Sequence, residues 1–314
     1  MGRAGNGRRS RIRASQRITV VPEHSQAFDF RGFTCEIRIV DAEDPTLAPL
    51  VLLGGAFQDK HSWARHEREF LRRTSVVTVD LPGWGSADPL PRQYGVDFLC
   101  EALHHLLVSS GLSRVNVGAG SYGSGIAYRL AQRFPGLVDR LVLVGTMTEL
   151  PELARADVEN TVRLLRSGDR DTFAERVIEL LLCQDPGVVV RKRDVLRRLL
   201  GRQLRQLGED AAEKYVHNTE RLLAYRWDRS TSPPTLPILV MTGEHDPFTT
   251  PELCREVAKD CPDARFTTVR DSDHLVYLER PVEFVEVVLT FLSGEPVDVL
   301  PCCTPVEYFG AARP

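Results

Sequence analysis

Lysine is almost missing from this 314-residue chain: Lys60, Lys192, Lys214 and Lys259 are the only ones among 40 basic residues, and arginine supplies the rest. An arginine-rich stretch therefore carries little information by itself, and the bias fits a bacterial genome of high GC content. Long apolar runs are missing too. No stretch approaches the roughly 20 residues that cross a bilayer, so no membrane partner is expected. The net charge of -3 gives no electrostatic case for nucleic acid. No cysteine pair has metal-ligand spacing with a histidine partner. The seven cysteines (Cys35, Cys100, Cys183, Cys254, Cys261, Cys302 and Cys303) are odd in number and scattered. That pattern fits reduced thiols in a cytoplasm rather than a disulfide framework. Residues 1–17 carry Arg3, Arg8, Arg9, Arg11, Arg13 and Arg17 among Gly, Ser and Ala, with no apolar region of signal-peptide length behind them. They read as a disordered basic tail. Nothing in the sequence sets the oligomeric state.

What remains is ordinary globular composition, 42% hydrophobic and 26% charged. Periodicity alternates strand and helix. Residues 32–41 alternate apolar and polar as a half-buried strand does, and Pro49-Leu-Val-Leu-Leu53 is a short apolar run suited to a strand covered on both faces. Helical spacing follows at 61–71, a strand at 75–80, a helix at 97–112, and a strand at 138–145. Such βαβ alternation implies a parallel sheet with helices on both sides. Between about Pro151 and Arg229 the text is helical throughout, and Thr231-Ser-Pro-Pro-Thr235 closes it. Strands return at 237–243 and 264–270, each followed by a helix. The expected organisation is an α/β core at 18–148 and 235–293, an inserted helical cap at 149–234, and a C-terminal tail at 294–314.

Gly118-Ala-Gly-Ser-Tyr-Gly-Ser-Gly125 lies at a strand-to-helix junction, where Ser121 stands among glycines. Either this is a plain tight turn or a hydroxyl is held there to attack. A serine hydroxyl is a poor nucleophile at neutral pH and needs a base, an acid to orient that base, and N–H donors for the oxyanion. In parallel α/β sheets such groups gather at the carboxyl ends of strands. Asp246, in Gly-Glu-His-Asp-Pro-Phe, and His274, in Asp-Ser-Asp-His-Leu, both follow predicted strands. The order Ser, Asp, His is hard to produce by chance. Asp271 is a backup acid, Glu244 a cap or solvent ligand, and His104 and His105 belong to a surface helix without a catalytic part. Trp84 and Phe57 either line a pocket or pack under the loops.

From about Phe28 to Leu292 the sequence resembles the α/β-hydrolase family. Ala119-Gly-Ser-Tyr-Gly123 resembles its nucleophile elbow, Asp246 its acid and His274 its base. Leu50-Val-Leu-Leu-Gly-Gly-Ala-Phe57, with Trp63, resembles its oxyanion strand and loop, which implies Ala56 and Tyr122 as N–H donors. Asp80-Leu-Pro-Gly-Trp-Gly-Ser86 resembles the segment after the next strand. Three positions depart from the family pattern. Ala119 replaces a glycine, and Gly54 replaces a histidine that braces the loop, leaving Gln58 or His61 to substitute. Asp273 replaces the glycine before the catalytic histidine. A carboxylate there either holds His274 charged to higher pH or faces solvent.

The resemblance implies a hydrolase of a carboxylic ester, thioester or lactone, working through an acyl-enzyme on Ser121 with no cofactor or metal. The same residues also suit non-hydrolytic acyl transfer, cyclisation or a lyase step, and a non-catalytic binding protein on this fold is the remaining alternative. The substrate is a small molecule with an acyl group, free or carrier-borne. Arg163, Arg166, Arg191, Arg193, Arg197, Arg198, Arg202 and Arg205 either greet an acidic substrate or express the chain's general preference for arginine.

Overall fold

The computed structural model describes residues 22–310; the basic stretch 1–17 lies outside them. In chain order the elements are β1 (Glu23–Phe30), β2 (Phe33–Val40), β3 (Leu50–Leu53), α1 (Ala64–Phe70), β4 (Val76–Asp80), α2 (Val96–Ser109), β5 (Val115–Gly120), α3 (Tyr122–Arg133) and β6 (Val138–Val144). Four helices follow, α4 (Glu152–Ser167), α5 (Arg170–Leu181), α6 (Arg193–Arg205) and α7 (Glu209–Ala224). The chain then forms β7 (Ile238–Gly243), α8 (Pro251–Lys259), β8 (Asp263–Val269), α9 (Val276–Glu279), α10 (Pro281–Leu292) and β9 (Glu307–Gly310).

All nine strands make one sheet in the order β1-β2-β4-β3-β5-β6-β7-β8-β9. The six from β4 to β8 in that order run parallel, while β1, β2 and β9 are antiparallel at the margins. Every residue of β3, β4, β5 and β7 is buried, as strands covered on both faces must be, which explains why they read as continuous apolar runs. One core layer joins the sheet to α2, α3 and α8 through Leu99, Leu103, Leu130 and Val257. The other joins it to α1 and α10 through Phe70, Phe284, Val288 and Phe291. Burying each such side chain contributes roughly 1.5–3 kcal/mol.

Helices α4 to α7 stand in the connection between neighbouring strands β6 and β7, and Val162, Leu165, Phe173 and Tyr215 extend the second core layer into them. Polar contacts fix this segment to the sheet end. Arg221 donates to the backbone oxygens of Leu90 and Pro91, Asn218 donates to Gly83 O at 2.9 Å, and Lys214 Nζ donates to Gly85 O at 2.9 Å. Among the described residues no helix is long and apolar enough to cross a membrane.

Two elements differ from the sequence expectation. β1 was not anticipated, because six of its eight residues are exposed and mostly polar and carry no apolar alternation. It is defined by a hairpin, in which Arg31 and Gly32, both at positive φ, form the two-residue turn between Phe30 and Phe33. The stretch expected as a tail after residue 293 is folded through Gly310. Val297 is buried, and β9 pairs with β8 from Asp263↔Gly310 to Phe266↔Glu307. Short strands of mixed polarity gain their identity from the edge they pair with, which local sequence does not display.

Deleting residues 305–314 is expected to lower the unfolding free energy by roughly 1 kcal/mol for each ladder bond lost and to promote aggregation through the bared β8 edge. Denaturant titration with light scattering tests this; an unchanged midpoint would mean that β9 adds nothing.

Candidate active site

Ser121 occupies the single residue between β5 and α3, with φ 49° and ψ -117°. Positive φ is uncommon for a residue with a side chain and here turns the hydroxymethyl group out from the strand end. The turn is held from both sides: Ser121 N–H donates to Val144 O at 2.8 Å, and Ser121 O accepts from Ser124 N–H at 2.9 Å. Glycine is required at 123, because a Cβ there would lie 2.8 Å from Gly54 O and 2.9 Å from Leu53 Cβ. Ala119 is tolerated where the family pattern has glycine, since its methyl group packs in the core beside the sheet.

The loops after β7 and β8 bring the two distant residues to this serine. His274 Nε2 lies 3.1 Å from Ser121 Oγ, and His274 Nδ1 lies 2.9 Å from Asp246 Oδ2. A carboxylate only accepts, so Nδ1 carries the proton and Nε2 is left free to receive one from the serine. Asp246 is buried and accepts five hydrogen bonds, from Thr242 Oγ1, Thr249 Oγ1, His274 Nδ1 and the N–H groups of Phe248 and Thr249. Burial alone would raise its pKa. The charge and hydrogen bond of His274, with the hydrogen bonds of Thr242 and Thr249, outweigh burial and hold the carboxyl below its ordinary range. For His274 burial disfavours the imidazolium, but the Asp246 carboxylate, with Asp273 behind it, pushes the pKa above the ordinary imidazole value.

Thr249 was not anticipated. Its hydroxyl lies 2.6 Å from Asp246 Oδ2 and 3.0 Å from His274 Nδ1, bridging the two. A threonine three residues beyond a candidate acid was the available signal. Asp271, the backup acid, does not reach His274; it lies at positive φ beside Arg191 and Arg280. Glu244 accepts from Asp271 N–H at 3.3 Å. His104 stacks on Phe134, and His105 packs against Phe28 and Phe30, away from the serine.

Beside the serine, a Cβ on Gly55 would touch Ser121 Cβ at 3.3 Å. Among the described residues, the N–H groups of Ala56 and Tyr122 donate to no protein acceptor. Gln58, not His61, braces this loop: its Oε1 accepts from Gly55 N–H at 2.7 Å, whereas His61 is exposed. A side chain at 54 is excluded, because its Cβ would lie 2.5 Å from Gln58 Cβ. The far end of the loop is fixed by Asp80, whose carboxylate accepts from Lys60 N–H at 2.8 Å and Lys60 Nζ at 2.7 Å. Trp84 packs under the loop, donating to Gly55 O at 3.1 Å, while Phe57 stacks on Tyr215.

Ser121, His274 and the two N–H-bearing residues line a cavity of about 310 Å³, near the lower end of the range for small-molecule sites. Phe57, Tyr215, Leu180, Leu181, Leu200 and Leu222 form much of its wall. No aspartate, glutamate, lysine or arginine lines it among the described residues. The arginines of the helical segment point elsewhere: Arg166 reaches Glu220, Arg205 reaches Asp171, and Arg193 donates to backbone oxygens of 185 and 188. Asp273 does not face solvent. It is fully buried, and its Oδ2 accepts from Cys183 N–H at 2.9 Å.

A sequence model of the alpha/beta hydrolase fold matches residues 48–281. The chain is 24% identical over 252 residues to (E)-2-((N-methylformamido)methylene)succinate hydrolase of Acinetobacter baylyi, covering 79% of this chain and 91% of that one. It is 24% identical over 300 residues to Lipase 1 of Psychrobacter immobilis, covering 90% of each. The solved enol-lactonase from Burkholderia xenovorans LB400 superposes with a TM-score of 0.72 at 23% identity, over 85% of this chain and all of that one.

The geometry makes Gly243 irreplaceable, because a Cβ there would lie 2.1 Å from Asp273 O. Gly243→Ala is expected to cost about 3 kcal/mol or more as overpacking against rigid backbone. Gly136→Ala, where a Cβ meets nothing within 4 Å, should be nearly neutral. Equal denaturant midpoints for the two variants would contradict the close approach of the two loops.

Proposed function

This chain belongs to the alpha/beta hydrolase fold family, and we propose on that premise that it hydrolyses uncharged carboxylic esters or lactones through an acyl-enzyme formed on Ser121. The observation that carries this reading is the run from Ser121 Oγ to His274 Nε2 and from His274 Nδ1 to Asp246, opening into a cavity that no aspartate, glutamate, lysine or arginine lines among the described residues.

In this reading Ser121 Oγ attacks the ester carbonyl carbon while His274 Nε2 takes its proton. Asp246 holds the imidazole in the tautomer that accepts at Nε2 and stabilises the imidazolium that results. The carbonyl oxygen, now an oxyanion, receives the N–H groups of Ala56 and Tyr122, which among the described residues have no protein partner to give up. Collapse breaks the bond to the leaving oxygen, which takes the proton from Nε2. In a lactone that oxygen stays on the acyl chain. Water then adds to the acyl-enzyme by the same route, returning Ser121 and releasing the acid.

The cavity wall favours an uncharged acyl group. Bringing a carboxylate into it would leave a desolvated anion with no lysine or arginine in the wall to pair with it. The A. baylyi relative is named for a succinate derivative; a substrate of that charge has no counterpart in these walls. The modest volume favours short or mid-length acyl chains over long lipid tails.

Ser121→Ala is expected to abolish both fluorophosphonate labelling, read by intact mass, and turnover of p-nitrophenyl butyrate; labelling that survives in the variant would sink the assignment. The base works only when neutral, and its pKa is raised in the folded protein, so activity should fall as pH drops through a point above the ordinary imidazole value. An acid limb below that value would contradict the arrangement. A p-nitrophenyl ester whose acyl chain ends in a free carboxylate should show kcat/KM about 100-fold below its neutral methyl-terminated counterpart. Parity between them would refute the uncharged-substrate reading.

A further inference from the structure

Asp273 stands immediately before His274, where the family pattern noted above has glycine, so the turn itself does not call for a carboxylate. Its side chain is fully buried. Oδ2 accepts from Cys183 N–H at 2.9 Å, and Oδ1 accepts from Leu275 N–H at 3.4 Å. Cys183 lies just beyond α5, whose Leu180 and Leu181 form part of the cavity wall. The backbone N–H of Asp273 donates to Glu279 Oε2 at 2.7 Å, anchoring the same turn to α9.

We propose that Asp273 is a positioning residue whose carboxylate fastens the helical segment over the cavity to the loop bearing His274, so that wall and base keep a fixed register. The inference rests on the functional reading above for its meaning in catalysis; the fastening itself stands on the contacts alone. A buried carboxylate that loses an N–H donor is left under-solvated, which costs more than an ordinary hydrogen bond, so the contact resists opening. Burial, together with Asp273 beside it, pushes the Glu279 carboxyl up to about 10. The carboxylates that act on the imidazole are Asp246 and Asp273; Glu279 and the Cys254 thiol in turn feel Asp246. Of these, Asp273 adds to the upward push that Asp246 exerts on His274.

Asparagine at 273 keeps an acceptor oxygen but removes the charge, whereas glycine removes both. Hydrogen–deuterium exchange of the full chain, resolved at the amide of Cys183, reads the fastening without any substrate. The rate of fluorophosphonate labelling against pH reads the base without a known substrate. Asp273→Asn should leave Cys183 protected while its labelling profile moves towards acid. Asp273→Gly should move the profile in the same direction, speed exchange at Cys183 at least about 10-fold and slow labelling at its optimum. An unchanged exchange rate at Cys183 in Asp273→Gly overturns the proposal. If that variant does not fold, Asp273→Ala decides by the same reading: an unchanged exchange rate at Cys183 overturns the proposal, and a faster one supports it. Should Ser121 in the parent protein never react with the probe, the functional reading fails, while the exchange comparison still decides whether Asp273 fastens the segment.

Discussion

Backbone pressed against backbone at the carboxyl end of the sheet is the constraint on which the site depends. A Cβ on Gly243 would lie 2.1 Å from the oxygen of Asp273, and one on Gly145 would lie 2.7 Å from Thr249 Oγ1 and 3.3 Å from the His274 ring. Parallel strands sit about 4.8 Å apart, so the loops that leave β6, β7 and β8 must share a narrow space. Omitting two side chains makes that space, and the imidazole then reaches Ser121 and Asp246 at once. The strained backbone of Ser121 belongs to the same arrangement, since Val144 at the end of β6 accepts its N–H. Cost in one place, an unfavourable φ at a reactive residue, is balanced by hydrogen bonds and packing in the surrounding loops.

Charge is distributed with comparable economy. Ionic groups lie behind and below the cavity instead of inside it. Asp246 is surrounded by five donors. Lys60, buried between Asp80 and Glu36, keeps its charge because those two carboxylates more than offset its desolvation. Arg221 spends its guanidinium on backbone oxygens of the sheet-end loops. Each buried charge meets partners within the protein, so none has to be met by a ligand, and the cavity presents apolar walls with a few hydroxyls and amides.

The sequence made the parallel strands and their helices legible because burial on both faces writes itself as short apolar runs, and helices write themselves at a period of 3.6. Ser121, Asp246 and His274 were legible for a related reason: each follows a strand whose end the pattern locates. Features that depend on tertiary neighbours were not legible. β1 and β9 are recognisable only through the edges they join. The place of Asp273 depends on Cys183, 90 positions away. The choice between Gln58 and His61 turns on a 2.7 Å contact that no local signal encodes. The arginines of the helical segment were ambiguous from composition, and their partners show that they serve the surface and the chain's own carbonyls.

β6 and β7 lie side by side, yet the chain between Val144 and Ile238 makes a long excursion through α4 to α7 before returning. The entropy of closing such a connection grows only slowly, by about 0.6 kcal/mol for each doubling of length. An excursion of this kind is therefore thermodynamically cheap to lengthen, shorten or replace. In evolutionary terms, much of the wall that selects a molecule is written in one continuous stretch, apart from the residues that would react with it. Selectivity has room to drift while the chemistry stays still. The drift has boundary conditions: besides the contacts of Lys214, Asn218 and Arg221 with the sheet-end loops, a replacement meets the buried carboxylate of Asp273, which now takes the backbone N–H of Cys183.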